Sequence, residues 1–139
     1  MKIYLAHSAH EQEQGKEIEA ALVSVGYDVC NPFDKENPGE ITWMGDTSKE
    51  IADWVVEEDY KEVDASDIVV CIYPQDGRTI GIPCEMARAY CLRDFGIKEI
   101  SIYSYVPDCV KGHPWPIGQS TKVFQDLFEL LNHLKKLIE

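Results

Sequence analysis

Glu85 stands in the run Thr79-Ile-Gly-Ile-Pro-Cys-Glu-Met-Ala-Arg-Ala-Tyr90, a carboxylate among apolar and small residues where a helix begins. A glutamate in a helix's first turn ordinarily complements the helix dipole or caps free N–H groups. The neighbours do not complete that account. A capping box needs Ser, Thr, Asp or Asn three residues earlier, and position 82 is Ile. The helix N-terminus predicts an ionised carboxylate, and the apolar flanks predict a poorly hydrated one. Such a group is a competent nucleophile toward an anomeric carbon passing through an oxocarbenium-like state, if a second acid manages the leaving group's proton.

Glu57, Glu58, Asp59, Glu62, Asp64 and Asp67 are the candidates for that second acid, and composition does not separate them. Most are expected on a solvated helix face. Thr79 and Gly81 offer a hydroxyl and a backbone N–H to a ligand, although Gly81 equally serves turn geometry. His7-Ser8-Ala9-His10 offers another hydroxyl, two imidazoles and the donors of a following helix, which suit a hydroxyl or phosphate group. The competing reading has Ser8 capping that helix and both histidines facing solvent. No GxGxxG or Walker loop is present.

Other chemistries are poorly served. Of His7, His10, His113 and His133 only the first two are close in sequence, so neither a metal nor a cofactor is expected. A G-x-S-x-G elbow is missing, and Cys84 lacks an activating cationic neighbour, so it is read as packing. Trp43 either stacks on a flat base or folds back on the core.

These residues need a frame. Lys2 to Ala6 predicts a strand, Glu11 to Val25 a helix stopped by Gly26, and Tyr27 to Cys30 a second strand ending at Asn31-Pro32. Asp34 to Gly45 reads as a loop. Thr47 or Ser48 caps a long helix to about Ala65, with Ile51, Val55 and Val63 turned inward. Asp67 to Tyr73 is a nearly unbroken β-branched run, as at the centre of a parallel sheet. Ile82 to Phe95 predicts the next helix and Ile97 to Tyr105 the next strand; Val106 to Gly118 is irregular. A last helix starts at Ser120, with Val123, Leu127, Leu130, Leu131, Leu134 and Ile138 as its apolar stripe. The alternation implies one α/β domain over 1–139, a flavodoxin-like or Rossmann-like three-layer sandwich with a parallel sheet of four to five strands. Ligands in such sheets bind beyond the strands' carboxyl ends, and Glu85 follows one of them.

With a net charge of −12 and three arginines, Arg78, Arg88 and Arg93, the chain is poorly suited to nucleic acid or an anionic membrane. A small molecule is the expected partner. No stretch reaches membrane-span length and the N-terminus reads as a strand, so a cytoplasmic location is expected. The five cysteines lack a CxxC pair and are read as reduced core or near-core residues.

Tyr4 in "KIYLAHS", Asp59 in "EEDYKEVDASDIVVCIY" and Glu85 in "GIPCEMARAY" occur in an order and at separations that resemble the nucleoside 2-deoxyribosyltransferases and their nucleotide N-glycosidase relatives. The resemblance spans roughly positions 2 to 92. It implies that Glu85 attacks C1′ to form a glycosyl-enzyme ester, that Tyr4 holds its carboxylate, and that Asp59 contacts the sugar or protonates the departing base. It also implies a homo-oligomer, at least a dimer, acting on nucleosides or nucleotides. Two positions depart from the transferase pattern. Thr79 stands where those enzymes often carry an aspartate, and is closer to the hydroxyl of the monophosphate hydrolases. Ser8 matches a phosphate-binding serine of those hydrolases, but His10 stands where they place arginine. Transferase and hydrolase both stay open, alongside a nucleotide-sensing domain without turnover.

Overall fold

The computed structural model describes residues 1–35 and 46–139. Trp43 and most of the Asp34 to Gly45 loop lie outside the described residues. Five parallel strands, β1 (Lys2–His7), β2 (Asp28–Cys30), β3 (Ile68–Ile72), β4 (Ser101–Tyr105) and β5 (Lys122–Phe124), form a sheet of order β2-β1-β3-β4-β5. This is the flavodoxin-like order, which reverses direction between β1 and β3.

The pleat sorts the core into two layers. Ile3 and Leu5 of β1 join Ile68, Val70 and Ile72 of β3 beneath α1 (Gln12–Ser24) and α5 (Leu127–Ile138). Tyr4 and Ala6 point the other way, with Val69 and Cys71, toward Val63 of α2 (Lys49–Asp64) and Ile82, Met86 and Ala89 of α3 (Gly81–Asp94). Strand alternation alone therefore puts Tyr4 on the same layer as α2 and α3.

Ser48 caps α2, its Oγ accepting the Ile51 N–H at 3.3 Å. Of the residues expected to turn inward on α2, Val63 is buried while Ile51 and Val55 are half-buried. The C-terminal region differs more from expectation. The segment read as irregular contains a short helix, α4 (Pro114–Gln119), and the last helix starts at Leu127 instead of Ser120. Asp126 caps it, Oδ1 accepting the N–H groups of Phe128 and Glu129 at 2.8 and 3.3 Å. Val123 belongs to β5, whose three residues pair with Tyr103, Ser104 and Tyr105. A strand so short carries no periodicity of its own, and pairing with β4 creates it.

The five cysteines are unpaired, but Cys84, Cys91 and Cys109 are exposed, which corrects their reading as core residues. Helix α3 buries Ile82, Glu85, Met86 and Ala89, and this face leaves Cys84 and Cys91 outside it. Among the described residues no helix is long and apolar enough to cross a membrane.

Candidate active site

Glu85 is the fifth residue of α3, beyond the first turn where it was expected. The free N–H groups and the dipole's effect are confined to that turn, so neither capping nor the dipole explains this carboxyl. The helix start is instead served by Thr79, whose Oγ1 accepts the Ile82 N–H at 3.4 Å. Glu85 faces the sheet, 9% exposed, and its Oε2 is buried with no hydrogen-bond partner. Burial pushes its pKa up to about 8; the Tyr4 hydroxyl opposes the rise and the Asp59 charge adds to it. The expectation of an ionised carboxylate is thereby corrected, because desolvation outweighs a dipole that this position does not feel. A Cβ at Gly81 would lie 3.2 Å from Glu85 Oε1, so any side chain there would press on that carboxyl.

Tyr4 has no exposed surface, and its Oη is likewise buried without a hydrogen-bond partner. Burial first, then the charges of Glu85 and Asp59, drive the phenol pKa far above its ordinary range, so it stays a neutral donor. Phenol and carboxyl face each other as an unfinished pair. They are close enough for Tyr4 to lower the Glu85 pKa, yet Oη and Oε2 do not complete a bond. Buried polar atoms left open in this way are costly and uncommon.

Asp59 projects from the middle of α2, half-buried, with its pKa raised to about 6 by burial, then lowered by Lys35 and raised by Glu58 and Glu62. Glu57 is exposed, and the other acids of that stretch have other partners. Glu62 pairs with Lys2 at 2.7 Å, Asp64 with Arg88 at 2.7 Å, and Glu58 lies 3.9 Å from Lys35. Asp67 Oδ2 accepts the Lys2 backbone N–H. Tertiary structure thus separates the acids that composition left equivalent, and it brings Asp59 near enough for its charge to act on Glu85.

No protein-family model matches the sequence, and no curated protein does. Among solved structures, a 2-deoxyribosyltransferase from Bacillus psychrosaccharolyticus is similar at a TM-score of 0.66 and 20% identity, over 95% of this chain and 91% of that one. A CMP N-glycosidase from Clostridium botulinum is similar at a TM-score of 0.58 and 16% identity, over 99% of both chains. A conserved protein from Enterococcus faecalis V583 gives 0.58 and 16%, over 99% of this chain and 87% of that one. The chain has the fold of the deoxyribosyltransferases and N-glycosidases.

Around the three central residues of this deoxyribosyltransferase-like fold, the remaining candidates are placed as follows. Ser8 is buried and its Oγ accepts the His10 N–H at 3.2 Å, capping the turn at Ala9–Glu11; His10 is exposed. His7, which the competing reading placed in solvent, is buried with Nε2 bonded to Asn31 Oδ1 at 2.8 Å, and burial lowers its pKa. A Cβ at Gly15 would come within 2.2 Å of its ring, so α1 needs glycine there. His113 Nδ1 accepts the Trp115 N–H, and His133 packs on the rings of Tyr103 and Phe124. The four histidines do not converge, and among the described residues no group could hold a metal ion.

A cavity of about 540 Å³, lined in part by Tyr73, Asp76, Thr79, Pro83 and Trp115, opens beside the start of α3, and Glu85 does not line it. Sequence reasoning did not find Lys35, Tyr60 or Arg88, whose importance lies in contacts across elements. The only local signal was the scarcity of arginine.

Proposed function

We propose that this chain is an enzyme that cleaves the N-glycosidic bond of a 2′-deoxynucleoside through Glu85 and transfers the deoxyribosyl group to another nucleobase. The observation that carries the reading is the buried pair formed by Glu85 and Tyr4, each with an open hydrogen-bonding atom, with Asp59 beside them. An unpartnered buried carboxyl is paid for only where something binds it, and a sugar carbon gaining positive charge is a fitting ligand.

The chemistry needs one proton on the carboxyl pair. With Asp59 protonated and Glu85 ionised, the C1′–N bond breaks as Asp59 gives its proton to the departing base. Glu85 then forms the C1′–O ester. A second base attacks C1′, returns a proton to Asp59 and releases Glu85 as carboxylate. Tyr4, remaining a phenol, donates to Glu85 and steadies it as leaving group and nucleophile. Because Asp59 and Glu85 titrate near about 6 and about 8 in the empty site, the singly protonated pair dominates between those values. Within it, the proton prefers Glu85, and the positive sugar must draw it to Asp59.

Incubating the protein with a deoxynucleoside and a second free base tests the proposal by chromatography. Exchanged nucleoside is the expected product, and its absence across purine and pyrimidine donors overturns the transferase. The likeness to a CMP N-glycosidase over 99% of both chains, with the hydroxyls of Ser8 and Thr79, supports a second reading. A 2′-deoxynucleoside 5′-monophosphate N-glycosidase would release base from the monophosphate and spare the nucleoside. The opposite preference removes it.

A further inference from the structure

Helix α2 brings Asp59 to the site, yet Val63 is the one buried residue among its sixteen. Apolar packing therefore leaves its position weakly specified. Across the gap to α3, Arg88 Nε and Nη2 donate to Asp64 Oδ1 and Oδ2 at 2.8 and 2.7 Å, a two-pronged bond that fixes orientation as well as distance. The same guanidinium sits 5.1 Å over the ring of Tyr60, the residue after Asp59. Lys98 Nζ donates to the Asp64 carbonyl at 2.9 Å. Among the described residues, Arg88–Asp64 is the ion pair that joins the two helices. Arg88 lies one turn beyond Glu85 on α3, and Asp64 is the last residue of α2.

We propose that the Arg88–Asp64 clamp is a positioning device that holds Asp59 of α2 against Glu85 of α3. Both side chains are about 40% exposed, at 41% and 39%, so water and salt screen the pair and its contribution to overall stability is small. Its direction is what matters, since two carboxyls act as a pair only while their spacing is held. The inference rests on Asp59 and Glu85 being the reacting pair, but its test requires no turnover.

Glu85 faces Tyr4 from β1, Asp59 and Tyr60 from α2, and Cys71 from β3; Asp59 faces Lys35, Glu58 and Glu62. A titration of the Glu85 side-chain carboxyl by carbon NMR, in the full chain, reads their spacing directly. In Arg88→Met, and independently in Asp64→Asn, the Glu85 midpoint should fall below about 8, because a more distant Asp59 repels its charge less. Asp59→Asn should lower it too, and adding Arg88→Met to Asp59→Asn should change it little further. Arg88→Lys, with a point charge and no fork, should fall between wild type and Arg88→Met. Simple loss of the Arg88 cation predicts the opposite sign, a rise in the midpoint, whereas Asp64→Asn removes an anion and by that alone lowers it, so only the part of its fall that Asp59→Asn abolishes reports the spacing.

An unmoved or raised midpoint in both clamp variants overturns the proposal. So does an undiminished fall in the Asp59→Asn background, which would mean that water has entered and that Asp59 spacing is irrelevant. Should Arg88→Met fail to fold, Asp64→Asn measured with and without Asp59→Asn carries the comparison, since the direct effect of the lost anion survives in the Asp59→Asn background and the effect of spacing does not. With a deoxynucleoside substrate, the clamp variants should lose about tenfold in kcat with KM little changed. A positive NMR cycle together with no turnover in wild type would retain the clamp and reject the transferase.

Discussion

Helices α2 and α3 carry the two acids of the candidate site, and they are held to the protein by different forces. Four of the fourteen α3 residues are buried, Glu85 among them, packed on β1 and β3. In α2 one residue of sixteen is buried, and the helix is tied down by Lys2–Glu62, Lys35 with Glu58 and Glu62, and Arg88–Asp64. Apolar packing does not respond to charge screening or to protonation, whereas ion pairs respond to both. The proposed nucleophile thus sits on the rigid wall, and the acid proposed to move the proton sits on an adjustable one.

The largest effect should come from the rigid wall. Glu85→Gln should lower base exchange by several orders of magnitude while the far-ultraviolet circular dichroism is retained. Stability supplies a second readout with a definite sign. The folded Glu85 pKa, about 8, lies above its unfolded value of 4.5, so the native state binds the extra proton. Its favourable contribution is complete below the unfolded value and is lost as pH rises through about 8. Wild type should therefore lose a few kcal/mol relative to Glu85→Gln between acid and alkaline pH, because each tenfold difference in proton affinity between the folded and unfolded states is worth on the order of one kcal/mol. Parallel denaturation curves for the two proteins across that range would contradict a buried, unpaired Glu85.

Asp59→Asn on the adjustable wall should cost about a hundredfold or more in kcat. Wild-type activity should rise through about 6 and fall through about 8, as the pair first loses one proton and then the other. The variant should lose this bell shape, since asparagine can neither give nor receive the proton. A pH–rate profile identical to wild type would remove Asp59 from the chemistry.

These acids were unequally legible in the sequence. Glu85 stood out because its oddity is local: a carboxylate in an apolar run with Ile at position 82 in place of a cap. Asp59 was one of six acids in a row of similar context, and only folding gives Glu62 and Asp64 their partners while leaving Asp59 half-buried. The same distinction runs through the fold. Strand β3 announced itself by a nearly unbroken β-branched run, and all five of its residues are buried, whereas β5 exists through its pairing with β4, and Asp126, the true cap of α5, lay inside what read as a helix. Beyond the scarcity of arginine nothing marked the role of Arg88, because its bond to Asp64 spans 24 residues.

Tyr4→Phe should have a smaller effect, about tenfold in kcat. The hydroxyl holds the Glu85 pKa down, so its loss should move the alkaline limb of the pH profile upward. Stability should stay level or increase, because an unpartnered buried hydroxyl is removed. Opposite signs in activity and stability would mark Tyr4 as a site residue; a clear loss of stability would assign it to packing.

The smallest effect concerns the attachment of α2 itself. Raising ionic strength from about 0.05 to about 0.5 M shortens the screening length several-fold and weakens the four ion pairs that, among the described residues, hold α2. Exposed pairs contribute about 0.2–1 kcal/mol each, so the helix should loosen without the protein unfolding. Amide hydrogen exchange resolves the two walls separately. Protection in α2 should fall several-fold while α3 and α5, held by Ile82, Met86, Leu130 and Leu134, stay unchanged. Exchange that accelerates equally in all three helices would show one cooperative unit, and the difference between packed and ion-paired walls would then have no dynamic consequence. If α2 alone responds, Glu85 should also titrate lower at high salt, because the charge of Asp59 reaches it less.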